Sequence, residues 1–174
     1  MGKSTLCALL SKHFDLPLLS LGQRFREKVR ESGMDIYEII YYPQLCAEID
    51  AAITSAVVNE IRMAGRCILE GHAAGLLCYE GPAFRVLLHA PWCVRVDRMT
   101  RRDGFSAAET VRKLNSLDTY TIQRFKDMFG AEINDTSSYE ISIDTSADEP
   151  NQLVGIVIDA VDRWERAHGS AIAH

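Results

Sequence analysis

Three features that would direct a protein to membranes or to nucleic acid are missing from this sequence. No apolar run among the 174 residues approaches the roughly 20 residues that a membrane-spanning helix needs. The N-terminal segment has a short, interrupted apolar stretch without a small-residue cleavage site, so no signal peptide is expected. Basic residues are outnumbered, 19 Lys and Arg against 24 Asp and Glu, which disfavours a surface for polyanions. We therefore expect neither a membrane nor a nucleic-acid partner.

The spacing of the cysteines and histidines also argues against C-x-x-C sites and histidine metal centres. The five cysteines are odd in number and contain no C-x-x-C pair, and most have apolar neighbours. This predicts reduced, structural thiols in a cytoplasmic protein. The five histidines lie far apart and form no i, i+4 pair, which argues against a histidine metal centre. The cysteines are Cys7, Cys46, Cys67, Cys78 and Cys93.

The remaining pattern is that of a globular protein built from alternating helices and strands. With 47% hydrophobic and 25% charged residues and no linker-like segment, residues 1–174 are predicted to form one domain. Helical periodicity predicts helices over 4–13, 23–32, 92–102, 106–129 and 150–166, and two helices within 36–63 separated at Pro43. Short apolar runs predict strands over 16–20, 67–71, 84–90 and 139–145. This alternation predicts an α/β fold with a parallel sheet, whose strands at 67–71 and 84–90 are covered on both faces.

The tetrapeptide Gly2-Lys3-Ser4-Thr5 opens the first predicted helix. It is the second half of the phosphate loop G-x-x-x-x-G-K-[ST], in which the helix N-terminus and backbone N–H groups hold phosphates. In such a loop Lys3 would contact the β- and γ-phosphate oxygens, and the Ser4 hydroxyl would bind Mg²⁺. A motif this short also suits an ordinary helix start capped by Ser4 or Thr5.

Further segments follow in an order that resembles nucleoside monophosphate kinases. Residues 20–26 resemble the S-x-G-x-x-F-R segment that approaches the acceptor monophosphate, and Glu70-Gly71 resembles the strand-end acid and glycine. Residues 98–106 and 129–135 resemble the entry and exit of a mobile lid. From Gly2 to Pro150 the order and spacing resemble the archaeal-type, or type 2, cytidylate kinases.

That resemblance implies a three-layer P-loop NTPase fold with a parallel sheet, acceptor-binding helices at about 22–65 and a small helical lid at about 102–135. It implies transfer of the γ-phosphoryl group of ATP, with Mg²⁺, to a nucleoside monophosphate, most specifically CMP or dCMP. Two alternatives stay open: a kinase of the same fold that acts on AMP or another small metabolite, and a degenerate, non-catalytic nucleotide-binding protein. Small-molecule nucleotides are the expected partners, and the sequence leaves the oligomeric state open.

The resemblance also implies roles for particular residues. The ATP-binding set is Gly2, Lys3, Ser4 and Thr5, and the acceptor-binding set is Ser20, Gly22, Arg26, Gly71 and His72. Magnesium would be held by Ser4 and Glu70, and the transferring group would be neutralised by Lys3, Arg98 and Arg102.

The sequence departs from the family pattern in three places. Members begin with a buried strand and G-x-x-G-x before the Gly-Lys pair, so we expect Met1 to be an internal methionine of a longer loop; a damaged relative is the alternative. His72 replaces an arginine, and it is either a conditionally charged phosphate ligand or a neutral loop residue. At residues 117–121 a lid arginine is missing, for which Arg112 or Arg124 could substitute.

Overall fold

The computed structural model describes residues 2–77, 82–130, 135–146 and 149–168, and over these residues helices alternate with parallel strands. The helices are α1 (Lys3–Phe14), α2 (Leu21–Glu31), α3 (Pro43–Ala64), α4 (Trp92–Asp103), α5 (Ala107–Phe129) and α6 (Pro150–His168). The strands are β1 (Leu18–Ser20), β2 (Ile68–Glu70), β3 (Val86–His89) and β4 (Ile141–Asp144). The α/β class predicted from the sequence is confirmed. None of the helices in these ranges is both long and apolar enough to cross a membrane.

The four strands form two parallel pairs. β1 pairs with β2, and Ser20 lies opposite Glu70 in that register. β3 pairs with β4, and His89 lies opposite Asp144. Within the described residues the pairs are not hydrogen-bonded to each other, so the single predicted sheet is seen as two two-stranded sheets.

A cavity of about 990 Å³ is lined by both β2 and β3. Because β3 contributes to this lining, Val86, Leu87 and Leu88 are only half-buried. The prediction that the strand at 84–90 is covered on both faces is therefore wrong for the structure as described. The same cavity extends to the N-terminal end of α1, where Lys3 contributes to its wall.

The segment at 36–63 contains one long helix rather than the predicted two. Before it, Asp35 forms an Asx turn, since its carboxylate accepts hydrogen bonds from the backbone N–H groups of Tyr37 and Glu38 at 2.6 and 2.9 Å. Only a 3₁₀ turn (Ile39–Tyr41) follows, and Pro43 then opens α3 at its first position. The Asx turn diverts the backbone from a helix, and proline at N1 costs α3 no hydrogen bond.

Two apolar cores hold the elements around the cavity. One packs α2 against α3 and includes Phe25, Val29 and Val57. The other joins α1 and α6 through Leu10 and Val157, with half-buried residues of β3 and β4 against them. The first core positions the helices of the predicted acceptor-binding region, and the second positions the helix that carries the Gly-Lys-Ser-Thr motif.

The helix within the predicted lid at residues 102–135 follows the sequence-based prediction where it is described. Ser106 caps α5, since its hydroxyl accepts from the Glu109 N–H at 3.3 Å, and the helix runs to Phe129 as predicted. Residues 131–134 of the predicted lid exit, and Met1, lie outside the described residues. Free thiols are found at Cys7, Cys46, Cys67 and Cys93, whereas Cys78 also lies outside them.

Candidate active site

Glu70, at the end of β2, links the Gly-Lys-Ser-Thr motif to the segment at residues 20–26, both of which were identified from the sequence. Its carboxylate, on a residue only 7% exposed, accepts hydrogen bonds from the Ser4 hydroxyl at 2.7 Å and the Ser20 hydroxyl at 2.8 Å. The parallel register explains the second bond, because Ser20 and Glu70 are directly paired and their side chains point to the same face. The end of the first strand pair and the start of α1 therefore meet at one carboxylate.

The start of α1 is open on the side that phosphates would approach. Gly2 has φ +93°, which favours glycine, and a Cβ placed there would meet no atom within 4 Å. Among the residues that the structure describes, no side chain caps the first turn of the helix, and that turn contains no acidic residue. The free N–H groups and the positive end of the helix dipole are thus available to an anion.

Lys3 lies in this positive environment on the wall of the cavity. Burial lowers the pKa of its ammonium group, Glu70 opposes that shift, and Arg95 and Arg26 reinforce it. An anion bound beside Lys3 would favour its charged form. Glu70 also contributes to raising the pKa of the Cys7 thiol to about 11, mainly a burial effect, so this neighbouring thiol stays protonated.

The segment after β1 provides an exposed cation and two close backbone approaches. The Ser20 hydroxyl caps α2 by accepting from the Gln23 N–H at 3.2 Å. Arg26 is exposed toward the cavity and makes no ion pair with any residue in the described ranges, and a Cβ on Gly22 would lie 3.3 Å from its guanidinium. A Cβ on Gly71 would clash with Leu21 at 2.8 Å, so glycine is needed where β2 meets α2.

His72 follows Gly71 on the cavity wall. Its ring is accessible to water in the cavity but closely surrounded by protein, and desolvation together with Lys3 and Arg95 lowers its pKa to about 3. The direction of this shift favours a neutral imidazole at pH 7 in the unliganded protein, the second of the two sequence-based interpretations. Its role in acceptor binding stays a prediction.

The predicted lid arginines are bonded to protein groups. Arg98 donates to the Thr145 hydroxyl at 3.0 Å and to its carbonyl oxygen, which ties α4 to the end of β4. Arg102 forms two hydrogen bonds to Asp103 at 2.6 and 2.7 Å, and the Tyr37 hydroxyl donates to the same carboxylate at 2.7 Å. Neither guanidinium is free in this conformation, and a direct role in neutralising the transferring group stays a prediction for both.

Arg95 is a site residue that the sequence analysis missed. Its guanidinium lines the cavity and is held by Asp118 of α5 through two hydrogen bonds at 2.8 and 2.6 Å. It contributes to lowering the pKa of Lys3, so its charge acts at the start of α1. The spacing of Arg95 and Arg98 on one helix face was a weak signal, but only the fold places Asp118 beside it. Of the two proposed substitutes, Arg112 is exposed, and Arg124 is half-buried and paired with Asp50 of α3.

A lysine and a serine at an open helix N-terminus, joined to a strand-end carboxylate, are typical of α/β enzymes that act on phosphorylated nucleotides. Comparison with known proteins supports that class. A model of the cytidylate kinase-like family matches residues 3–147. Cytidylate kinase of Pyrococcus abyssi is 32% identical over 163 residues, which cover 92% of this chain and 88% of that protein. Cytidylate kinase of Thermoplasma volcanium is 29% identical over 167 residues, 95% of this chain and 88% of that protein.

A solved structure shares the fold at much lower sequence similarity. The crystal structure of an uncharacterized protein from Eubacterium ventriosum superposes with a TM-score of 0.66 at 15% identity, over 92% of this chain and 91% of that one. The chain therefore belongs to the cytidylate kinase-like family, and it is a nucleoside monophosphate kinase.

Proposed function

We propose that this kinase transfers the γ-phosphoryl group of ATP to CMP or dCMP. The observation that carries the proposal is the Glu70 carboxylate, which accepts hydrogen bonds from Ser4 of the Gly-Lys-Ser-Thr motif and from Ser20 of the predicted acceptor segment. Donor and acceptor segments therefore lie side by side, as direct phosphoryl transfer requires. The relatives named cytidylate kinase supply the choice of cytidine as the acceptor nucleoside.

The donor phosphates are assigned to the start of α1. Gly2, Lys3, Ser4 and Thr5 would surround them with backbone N–H groups, one ammonium group and two hydroxyls. Phosphoryl transfer depends mainly on positioning and on neutralising negative charge, and Lys3 serves both. Arg95, held in place by Asp118, adds a second positive charge on the cavity wall.

The acceptor phosphate is assigned to Arg26, the exposed cation on α2 that forms no ion pair within the described ranges, with Ser20, Gly22, Gly71 and His72 around it. An acceptor phosphate is already anionic near pH 7. The reaction therefore needs no strong general base, and the acceptor residues have to orient the phosphate rather than deprotonate it.

The oxygen atoms of Ser4 and Glu70 fit a magnesium site. Mg²⁺ prefers oxygen ligands and usually combines one or two carboxylates with waters and substrate phosphates, and these two side chains already lie 2.7 Å apart. When bound, the ion would supply neutralisation of the donor phosphates. Ser20, which bonds the other oxygen of Glu70, would keep the carboxylate oriented.

The proposal includes a three-layer P-loop architecture, in which the two strand pairs are two sides of one parallel sheet. Its support is that β2 and β3 both line the cavity and that the strands within each pair are parallel. A crystal structure should then show an extended segment hydrogen-bonded between β2 and β3. Direct pairing of β2 with β3 would contradict this arrangement.

The activity is tested by measuring ADP release with ATP, Mg²⁺ and each of CMP, dCMP, UMP and AMP. We expect kcat/KM to be highest for CMP or dCMP. A higher value for AMP, or no ADP release with any acceptor by a folded protein, would overturn the proposal.

A further inference from the structure

A buried ion pair joins the proposed acceptor-binding helix α3 to the proposed lid helix α5. The Nε atom of Arg124 lies 3.1 Å from Oδ2 of Asp50, and the two side chains are 16% and 12% exposed. Both residues line the same cavity as Arg26 and Gly22, the proposed acceptor-phosphate residues. The pair is therefore on the wall of the cavity that would hold the acceptor.

The pair is poorly satisfied by the protein around it. Asp50 Oδ2 and Arg124 Nε are buried, and neither has a hydrogen-bond partner with acceptable geometry among the described residues, despite their short separation. Asp50 makes no other hydrogen bond within the described ranges. A buried ion pair without supporting hydrogen bonds is a poor source of stability, so this one calls for another explanation.

The guanidinium of Arg124 is fixed in place rather than mobile. It lies 4.8 Å from the ring of Phe25 and 4.7 Å from the ring of Phe125, and one of its Nη atoms donates to Cys46 Sγ at 3.0 Å. These contacts set the plane of the guanidinium, as stacked arginines are set in recognition sites. Arg124 is thus a positioned donor beside a carboxylate acceptor.

We propose that Asp50 and Arg124 read the amino edge of the acceptor cytosine, which makes them specificity-determining residues of the kinase. The carboxylate of Asp50 would accept from the exocyclic amine of cytosine, and the guanidinium of Arg124 would donate to the neighbouring acceptor atoms of the ring. This inference rests on the proposed function, because it assigns the base subsite of that same acceptor.

Uracil would be rejected because its edge has the opposite polarity. Its O4 carbonyl would face the Asp50 carboxylate, acceptor against acceptor, and the buried carboxylate would lose its donor. Discrimination by such a contact amounts to about 1–3 kcal/mol per base contact in nucleic-acid recognition, or roughly 5- to 150-fold. The burial of the pair places the contact in surroundings where such a mismatch is costly.

The test compares Asp50→Asn with the parent protein, using CMP, UMP and pyrimidin-2-one ribonucleoside monophosphate, which lacks the amine without added bulk. Affinities are measured by calorimetry, and kcat/KM by ADP release. The parent should prefer CMP over both other nucleotides by at least about 10-fold. Asp50→Asn should reduce the CMP/UMP ratio by about 10-fold or more, because an amide can donate to O4 as readily as it accepts. Glu48→Gln, on the exposed side of the same helix, should leave the ratio unchanged.

The outcomes separate this inference from the proposed function. Equal affinity of the parent for CMP and the pyrimidin-2-one nucleotide would overturn the base-reading role while leaving CMP phosphorylation intact. Absence of ADP release with any acceptor would overturn the function, and the calorimetric comparison would still decide the role of the pair. If the pair has a purely structural role, Asp50→Asn should weaken the binding of all three nucleotides by the same factor. If that variant does not fold, the nucleotide series on the parent decides the question alone.

Discussion

Two buried carboxylates, Glu70 and Asp50, line the same cavity in very different surroundings. Glu70 is 7% exposed and Asp50 is 9% exposed, so burial does not distinguish them. Glu70 accepts two hydrogen bonds from serine hydroxyls, whereas the described residues offer Asp50 a single cation, Arg124, at 3.1 Å and with poor geometry. The difference teaches that burial alone does not define a functional carboxylate; its partners decide what it can do.

The partners point to different chemistry around the two carboxylates, whose surroundings are called the Glu70 end and the Asp50 end below. The Glu70 end has hydroxyls, a lysine and the start of a helix, which suit phosphates and a hard cation. The Asp50 end has aromatic rings and one fixed guanidinium, which suit a planar base. If this division is correct, variants at the first end should change phosphoryl transfer for every acceptor alike, and variants at the second end should change the choice among acceptors.

The largest expected effect is that of Lys3→Ala on turnover. Removing the ammonium group takes away a fixed positive charge from the phosphates, and the loss of one such group costs about 10²- to 10³-fold in kcat. The CMP/UMP ratio should stay constant, since Lys3 does not contact the base. Steady-state ADP release measures both quantities.

Lys12→Ala is the matched control for that variant, because Lys12 is exposed near the other end of the same helix. It should keep full activity. Turnover by Lys3→Ala within a factor of two of the parent would remove the phosphate-loop assignment.

The second-largest expected effect is on the pH dependence of the free energy of unfolding, and it tests the Asp50 end directly. Burial raises the pKa of Asp50 from 3.8 to about 6 despite Arg124, so the folded protein binds a proton there more tightly than the unfolded chain does. Its stabilising contribution is therefore present below about pH 4 and is lost as the pH rises through 6. Relative to Asp50→Asn, the free energy of unfolding of the parent should fall by about 2–3 kcal/mol between pH 4 and 7.

Urea unfolding of both proteins across that range measures the difference. The pKa of His72 is lowered to about 3 and the pKa of Tyr120 is raised, so neither group titrates in that range. Asp135 is a control of opposite sign, because hydrogen bonds to Ser137 lower its pKa. A pH-independent difference between parent and Asp50→Asn would show that Asp50 titrates normally and that the contrast with Glu70 is wrong.

A smaller effect is expected from Arg26→Ala, which sharpens the division within the phosphate end. Arg26 makes no ion pair with any residue of the described ranges, so its loss leaves no partner unpaired and stability should change little. The KM for CMP should rise about 10- to 30-fold, corresponding to a charge-assisted hydrogen bond of roughly 1.5–2 kcal/mol, with the KM for ATP unchanged.

Arg30→Ala, one turn further along α2 and exposed, should behave as the parent does. An equal rise in the KM for ATP and for CMP on substituting Arg26 would assign this arginine to the donor phosphates instead.

Much of the fold and part of the site could be predicted from the sequence because the relevant signals are local. Helical periodicity and the apolar runs define most elements to within a few residues, and the Gly-Lys-Ser-Thr motif is contiguous. The meeting of Ser4, Ser20 and Glu70 was implied by the family resemblance, and their hydrogen bonds required the strand register.

The features of the fold and the site that could not be predicted depend on contacts between residues that are distant in the chain. The Arg95–Asp118 pair spans 23 residues, and Arg124 bonds to Cys46 over 78 residues, so neither pair leaves a local pattern. The single helix α3 was missed because an Asx turn at Asp35 overrides the apolar periodicity of the preceding segment. The half-buried state of β3 was missed because a strand's sequence does not reveal a cavity beside it.

The smallest expected effect is at His72, which tests whether the phosphate end needs a second titratable cation. Desolvation, Lys3 and Arg95 lower its pKa to about 3. A bound phosphate dianion would have to raise that pKa by about four units for the ring to be charged at pH 7, which corresponds to about 5 kcal/mol. One negative charge 4 Å away near a protein surface provides about 4 kcal/mol, and a full dianion about 8 kcal/mol. Arg26, the proposed ligand of the acceptor phosphate, neutralises about one of the two charges, so about 4 kcal/mol or less acts on the ring once water in the cavity is included. The neutral ring is therefore expected to persist with the acceptor bound.

From pH 6 to 8.5, the profiles of kcat/KM for CMP should run parallel in the parent and in His72→Gln, within about twofold. Because the same substrate is used, the titration of its own phosphate cancels in the ratio, and His13→Gln, at the far end of α1, controls for general effects of losing a histidine. A parent profile that falls relative to His72→Gln as the pH rises through 7 would instead make His72 a protonated ligand of the acceptor phosphate.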